Sequence, residues 1–161
     1  MLILQGYFFG GKRWGKGKMK GKNGFVFFEG SWENDKANGY GIRKYPYSGD
    51  RHEGNYKDGL RDGVGTFLWA NGDKYSGHFK AGQMHGYGRL EWTNGDMYYG
   101  AFENGQINGE GYKIYADGRK SNGTFQNSVE HGWVKQVSKK ILSISFSFLK
   151  LIIIISHTHL L

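Results

Sequence analysis

Residues 75–97 read YSGHFKAGQMHGYGRLEWTNGDM, and most of the chain consists of variants of this stretch. Gly77 has counterparts at Gly6, Gly30, Gly54, Gly100 and Gly123, at intervals of 24, 24, 23, 23 and 23 residues. A fixed period of this length is the signature of a repeat architecture. It predicts full copies at about residues 4–27, 28–51, 52–74, 75–97 and 98–120, and a half copy at 121–133. The first copy departs most from the pattern, and we interpret it as an atypical, polar terminal cap.

Each copy contains two runs in which side chains alternate in character. Tyr75, Gly77 and Phe79 are separated by polar residues, and a second run of the same kind extends over 86–92. Alternation with a period of two predicts β-strands. A short loop joins the two runs, and Asn94-Gly95 marks a turn to the next copy. The sequence therefore predicts an all-β fold, an elongated meandering antiparallel sheet of stacked β-hairpins.

The alternation places a set of aromatic residues and the repeated glycines on one face. A glycine leaves room for a ring from a neighbouring strand, and burying that ring gains roughly 1.5–3 kcal/mol against a glycine cost of roughly 0.5–1 kcal/mol. The predicted structural glycines are Gly30, Gly39, Gly41, Gly54, Gly63, Gly65, Gly77, Gly86, Gly88, Gly100, Gly109 and Gly111. The aromatic residues predicted to form a partner-binding face are Trp32, Tyr45, Tyr56, Trp69, Tyr75, Phe79, Trp92, Tyr98, Phe102 and Tyr115.

This pattern resembles the MORN (membrane occupation and recognition nexus) repeat family. The matching residues of two copies are Tyr75, Gly77, Phe79, Gly82, Gly86, Gly88, Trp92 and Gly95, and His52, Gly54, Tyr56, Asp58, Gly59, Gly63, Gly65, Trp69 and Gly72. The resemblance covers about residues 4–133, although His52 and Ser121 replace the leading aromatic residue. It implies a hairpin array that serves as a scaffold in cilia, cytoskeletal structures or membrane junctions, in some members as a dimer.

Positive charge is concentrated at the two ends of a chain whose net charge is +8. Residues 1–27 carry six basic residues and no acidic one, whereas the middle copies are close to neutral. Basic ends favour acidic partners such as anionic lipid. The predicted anionic-lipid contacts are Lys12, Arg13, Lys16, Lys18, Lys20, Lys22, Lys139 and Lys140.

The tail at residues 134–161 is first basic and then apolar, and it contains no glycine. Residues 141–155 are fewer than the ~17–25 that a membrane-spanning helix needs. Alternation at 143–148 favours a final strand on the sheet edge. A membrane-contacting segment and a gene-model extension without a selected role remain as alternatives.

No catalytic constellation is visible in the sequence. The chain has no cysteine, the repeated carboxylates are spread along strands, and the Gly-x-Gly pairs lack the context of a phosphate loop. We therefore expect no enzymatic activity, cofactor, metal or small-molecule substrate, and nucleic acid is not favoured as a partner. The leading hypothesis is a non-enzymatic scaffold for protein–protein contact or self-association. It would be cytoplasmic, in association with cytoskeleton, cilium or membrane. The alternatives are a peripheral tether to anionic phospholipid and a regulatory fragment of a larger MORN-containing enzyme.

Overall fold

The structure is a computed structural model that describes residues 2–137. The predictions for residues 138–161, including Lys139 and Lys140, fall outside the described residues. Twelve strands account for most of the described chain. They are β1 (Leu2–Phe9), β2 (Lys12–Gly21), β3 (Val26–Glu33), β4 (Lys36–Lys44), β5 (Arg51–Lys57), β6 (Leu60–Leu68), β7 (Lys74–Lys80), β8 (Gln83–Glu91), β9 (Met97–Glu103), β10 (Gln106–Ile114), β11 (Lys120–Gln126) and β12 (Val129–Val137).

The twelve strands form one sheet in which the spatial order is the sequence order, from β1 to β12. Every neighbouring pair is antiparallel, so the chain meanders from hairpin to hairpin. The predicted all-β array of hairpins is confirmed. The segment expected to be a half copy forms a hairpin of its own, β11 with β12.

The core lies on one face of the sheet, which we call the aromatic face. Tyr75 and Tyr98 are fully buried there. The Tyr75 ring contacts Phe79 of its own strand edge-to-face, and it contacts Phe102 of the next repeat at a centroid distance of 4.9 Å. Tyr98 contacts Phe102 and then Phe125 in the same way. Edge-to-face pairs add to the gain from burial, so a continuous ladder of rings joins successive repeats.

Aspartates at the turns between hairpins tie each repeat to the next. Asp73 accepts a hydrogen bond from the backbone N–H of Thr93, at 2.8 Å. Asp50 bonds Ala70 and Asp96 bonds Ala116 in the same geometry, at 2.9 and 2.8 Å. At the opposite ends of the strands, the Gly82 N–H donates to the Arg61 carbonyl, at 2.8 Å, and neighbouring hairpins repeat that bond. Hydrogen bonds between successive repeats therefore recur at both ends of the strands.

Candidate functional site

A row of glycines crosses the sheet in register. Strand partners along it run Gly6, Gly17, Gly30, Gly41, Gly54, Gly65, Gly77, Gly88, Gly100, Gly111 and Gly123. On the aromatic face the Tyr75 ring lies over two of them. A Cβ atom at Gly88 would be 2.5 Å from Cε2 of that ring, well inside van der Waals contact. The Tyr75 ring thus occupies the space that a side chain at either of these two glycines would need.

The first glycine of each Gly-x-Gly pair has a different reason to be glycine. Gly63 and Gly86 have φ values of +96° and +65°, in the left-handed region that other residues seldom adopt. Gly86 lies where the pairing of β7 with β8 shifts register, between Gly77 and Phe79. The sequence reasoning treated both glycines of a pair alike, whereas one provides room for a ring and the other a β-bulge.

Burial revises the prediction of a partner-binding aromatic face. Six of its ten residues are core residues with little surface to offer a partner: Trp32, Tyr56, Tyr75, Phe79, Tyr98 and Phe102. The rings pack against one another because successive repeats are close enough for edge-to-face contact. The other four are only partly buried: Tyr45, Trp69, Trp92 and Tyr115. Each of these four comes directly after the second strand of its hairpin. The accessible aromatic surface is therefore limited to the ends of these strands.

A groove of about 550 Å³ opens on the aromatic face over β8 to β12. Its apolar lining comes from Met84, Leu90, Trp92, Phe102, Ile107, Tyr115, Phe125 and Val129. The Tyr115 hydroxyl donates a hydrogen bond to Oε1 of Glu130, at 2.5 Å, which spans the groove above β11. Burial, and then this bond, raises the pKa of Tyr115 to about 12. The ammonium of Lys113 lies over the Trp92 and Tyr115 rings, 5.2 and 4.5 Å from their centroids. The groove is therefore an apolar channel with a charged and hydrogen-bonded margin.

Comparison with family models gives five matches to the MORN repeat, at residues 5–26, 28–46, 52–74, 75–97 and 98–118. Together these matches cover more than half of the chain. The chain belongs to the MORN-repeat family. MORN repeats are protein- or membrane-interaction modules, and the repeat itself is not catalytic.

No curated protein matches the MORN array in a sequence search. Among solved structures, it is similar to the SAS-4 (dCPAP) TCP domain in complex with a proline-rich motif of Ana2 (dSTIL) of Drosophila melanogaster. The two chains are 14% identical, the match covers 78% of this chain and 72% of that one, and the TM-score is 0.43. A likeness this distant carries no argument about function.

His52 and Ser121 occupy the buried position that holds Tyr75 and Tyr98 in the fourth and fifth repeats. His52 is fully buried over Gly65, and its Nδ1 is 2.7 Å from the Tyr56 hydroxyl. Burial, and then the nearby Arg61, Arg43 and Arg51, lowers the pKa of His52 to about 4. Ser121 is also fully buried, and its Oγ has no hydrogen-bond partner. Both residues fill a core position and have no access to a ligand.

The basic residues predicted to contact lipid have different roles in β2 and in the turn that follows it. Arg13 bonds Asp35 through Nε, at 3.0 Å, and its guanidinium lies 4.1 Å from the centre of the Trp32 ring. Lys18 forms an ion pair with Glu29, at 2.7 Å. Lys12, Lys16 and Lys22 are exposed. Arg13 therefore stabilises the fold through Asp35 and Trp32, and the exposed lysines are the ones available to bind an external anion.

The face opposite the aromatic face, which we call the open face, carries exposed apolar side chains as well as polar ones. Tyr40, Val64 and Tyr87 occupy the middle position of their Gly-x-Gly pairs and are 49%, 55% and 71% exposed. Within residues 2–137, no cluster of side chains could hold a metal ion. No helix in that part of the chain is long and apolar enough to cross a bilayer.

Proposed function

We propose that this protein is a non-enzymatic scaffold that binds a protein segment in the groove over β8 to β12. The groove is the observation that carries the proposal. Met84, Trp92 and Tyr115 offer partly exposed apolar surface there, beside the exposed Val129, whereas most other rings of the aromatic face are covered by their neighbours. Accessible apolar surface of this kind favours an extended segment with apolar side chains.

The cellular setting that we propose is cytoplasmic, with association to cytoskeletal, ciliary or membrane structures. A rigid sheet with a binding groove at one end suits a protein that holds one partner at a fixed place. The groove margin contains Lys113 and Glu130, but its floor is apolar. Recognition would therefore depend mainly on the shape and apolar side chains of the partner, with the margin selecting its polar groups.

Sister repeats supply a matched pair of variants for the test. The Met84 position is occupied by Glu130 in the last hairpin, and the Val64 position by Glu110 in the fifth. Met84→Glu therefore places a charge in the groove, and Val64→Glu places the same charge on the open face, each at a position where the fold already accepts glutamate. Circular dichroism checks that both variants fold.

The experiment is affinity capture from the native source with the wild-type chain and the two variants. We expect at least one protein that is retained by the wild type and by Val64→Glu and is lost with Met84→Glu. The identical set of proteins on all three chains would contradict a groove-bound partner, as would the absence of any specific protein on the wild type.

A further inference from the structure

Three aromatic residues of the first hairpin occupy positions that are small or polar in every later repeat. Tyr7 corresponds to Ser31, Asn55, His78, Ala101 and Thr124. Phe9 corresponds to Glu33, Lys57, Lys80, Glu103 and Gln126. Trp14 corresponds to Asn38, Asp62, His85, Asn108 and His131. The repeat pattern and its core therefore do not account for these three rings.

The structure brings the three rings together at the tip of the first hairpin. Tyr7 and Trp14 are direct partners across β1 and β2, and the Phe9 and Trp14 rings lie 5.8 Å apart. Tyr7 and Phe9 are each 74% exposed and Trp14 is 41% exposed. The turn at Gly10 and Gly11 is open, since a Cβ atom at either glycine would meet nothing within 4 Å. The tip thus projects an aromatic cluster, which we call the aromatic tip, away from the core.

Lysines surround the aromatic tip on the same face of the hairpin. Lys12 is the strand partner of Phe9, and Lys16 and Lys20 follow on alternate positions of β2. Lys16 and Lys20 contact only the neutral side chains of Ser31 and Gln5 among their hydrogen-bond partners. Residues 1–27 contain no acidic residue. The hairpin therefore has an apolar end followed by a positively charged collar.

We propose that the aromatic tip inserts into the interface of an anionic membrane, with Lys12 and Lys16 against the lipid headgroups. Aromatic rings favour the boundary between headgroups and acyl chains. Lysines near an anionic surface add an electrostatic attraction, and two weak signals together give stable attachment. This site is on the opposite face from the groove and at the other end of the sheet, so it goes beyond the protein-binding function proposed above.

Two other occupants fit the hairpin less well. A second copy of the chain would bring together two hairpins with six basic residues each and no acidic residue, and these would repel. Single-stranded nucleic acid is usually bound in a basic groove that follows its backbone. The cavity beside Tyr7 and Phe8 measures only about 10 Å³, and the larger one of about 500 Å³ farther along the hairpin is lined by Glu29 as well as by Lys16 and Lys18. A planar anionic surface matches this shape and charge better.

The test is flotation of the full-length chain with vesicles of phosphatidylcholine and phosphatidylserine, beside vesicles of phosphatidylcholine alone. The main variant combines Tyr7→Asn, Phe9→Lys and Trp14→Asn, which copy the residues at Asn55, Lys57 and Asn38. This change adds a positive charge, so loss of binding cannot arise from weaker electrostatics. We expect its partition to anionic vesicles to fall at least about tenfold.

Two further chains complete the test. Tyr87→Asn removes an equally exposed ring from the same face in the fourth repeat, and we expect unchanged flotation. Replacing Lys12 and Lys16 by Gln is expected to reduce partition to anionic vesicles at least about tenfold. Phe9→Lys alone is the fallback if the triple aromatic variant fails to fold.

Several results would overturn the proposal. They are equal flotation of the wild type and the aromatic variant, no flotation of the wild type, and equal flotation on both kinds of vesicle. Binding of the wild type to a poly-dT oligonucleotide without binding to vesicles would assign the tip to nucleic acid instead.

Discussion

Nδ1 of His52 and the hydroxyl oxygen of Tyr56 lie 2.7 Å apart inside the core of the third repeat. His52 occupies the position of Tyr75 and Tyr98, and its Nε2 atom has no hydrogen-bond partner. A protonated imidazole here would be a buried cation that the positive charges of Arg61, Arg43 and Arg51 disfavour more than the charge of Glu53 favours it. The core therefore holds His52 in its neutral form.

Acid should destabilise the protein through His52 before it affects the carboxylates. The pKa of His52 is about 4 in the folded chain, against 6.5 for an unperturbed histidine, so the unfolded chain binds more protons between these values. Stability is then complete above about pH 6.5 and falls by up to about 1.4 kcal/mol per pH unit toward pH 4. Urea titrations at pH 7 and pH 5 measure this difference.

The double variant His52→Tyr with Tyr56→Phe copies the pair Tyr75 and Phe79 of the next repeat. It should abolish the loss of stability between pH 6.5 and pH 4, because no ionisable imidazole remains in the core. If wild type and variant lose stability equally over this range, the burial of neutral His52 is not the cause.

Gly88→Ala should destabilise the sheet by about 1–3 kcal/mol, the usual cost of overpacking a core. The new methyl group would lie 2.5 Å from the Tyr75 ring and cannot be accommodated without moving it. Tyr87→Thr, at the adjacent exposed position, is the control and should change the free energy of unfolding by no more than about 0.5 kcal/mol. Denaturant melts compare the two, and equal effects would refute a steric role for Gly88.

Asp73→Ala should loosen the contact between the third and fourth repeats, at a cost of about 1 kcal/mol. The backbone N–H of Thr93 loses its acceptor, and that bond is the main reason that the pKa of Asp73 is lowered. Asp117 bonds only Arg119 of its own turn, so Asp117→Ala should have a smaller effect. Amide hydrogen exchange at Thr93 should accelerate in the first variant alone.

Alkaline unfolding should begin above about pH 10. Burial raises the pKa of Tyr75, Tyr98 and Tyr115 to about 12, and that of Tyr56 further. Between about 10 and 12 the folded chain keeps protons that the unfolded chain loses, so stability falls as pH rises. Tyrosinate absorbance should therefore increase in step with loss of β-sheet circular dichroism. Ionisation of all tyrosines with the sheet intact would contradict this coupling.

Sequence reasoning predicted the hairpins and the role of Gly88 because both depend on local alternation and on a regular period. It could not predict which rings are accessible. Tyr75 and Phe102 belong to different repeats, and their contact depends on the distance across the sheet. The alternation could not show that Gly86 serves a bulge, since φ does not follow from residue type alone.

The first hairpin could have been interpreted better from the sequence. Treated as a degenerate polar cap, it instead exposes Tyr7, Phe9 and Trp14. A position-by-position comparison with later repeats would have singled out all three, because their counterparts are small or polar.

The bond from each turn aspartate to the following repeat has a consequence for how such a chain can change in length. Asp50, Asp73 and Asp96 make equivalent contacts, so removing residues 52–74 would leave Asp50 facing Thr93 in place of Ala70. Whole hairpins can thus be gained or lost by duplication or deletion, because the contacts between successive repeats stay the same. Each one changes the separation of the first hairpin from the groove by about 9–10 Å, two strand spacings. The number of repeats that the gene encodes therefore sets the distance between the first hairpin and the groove.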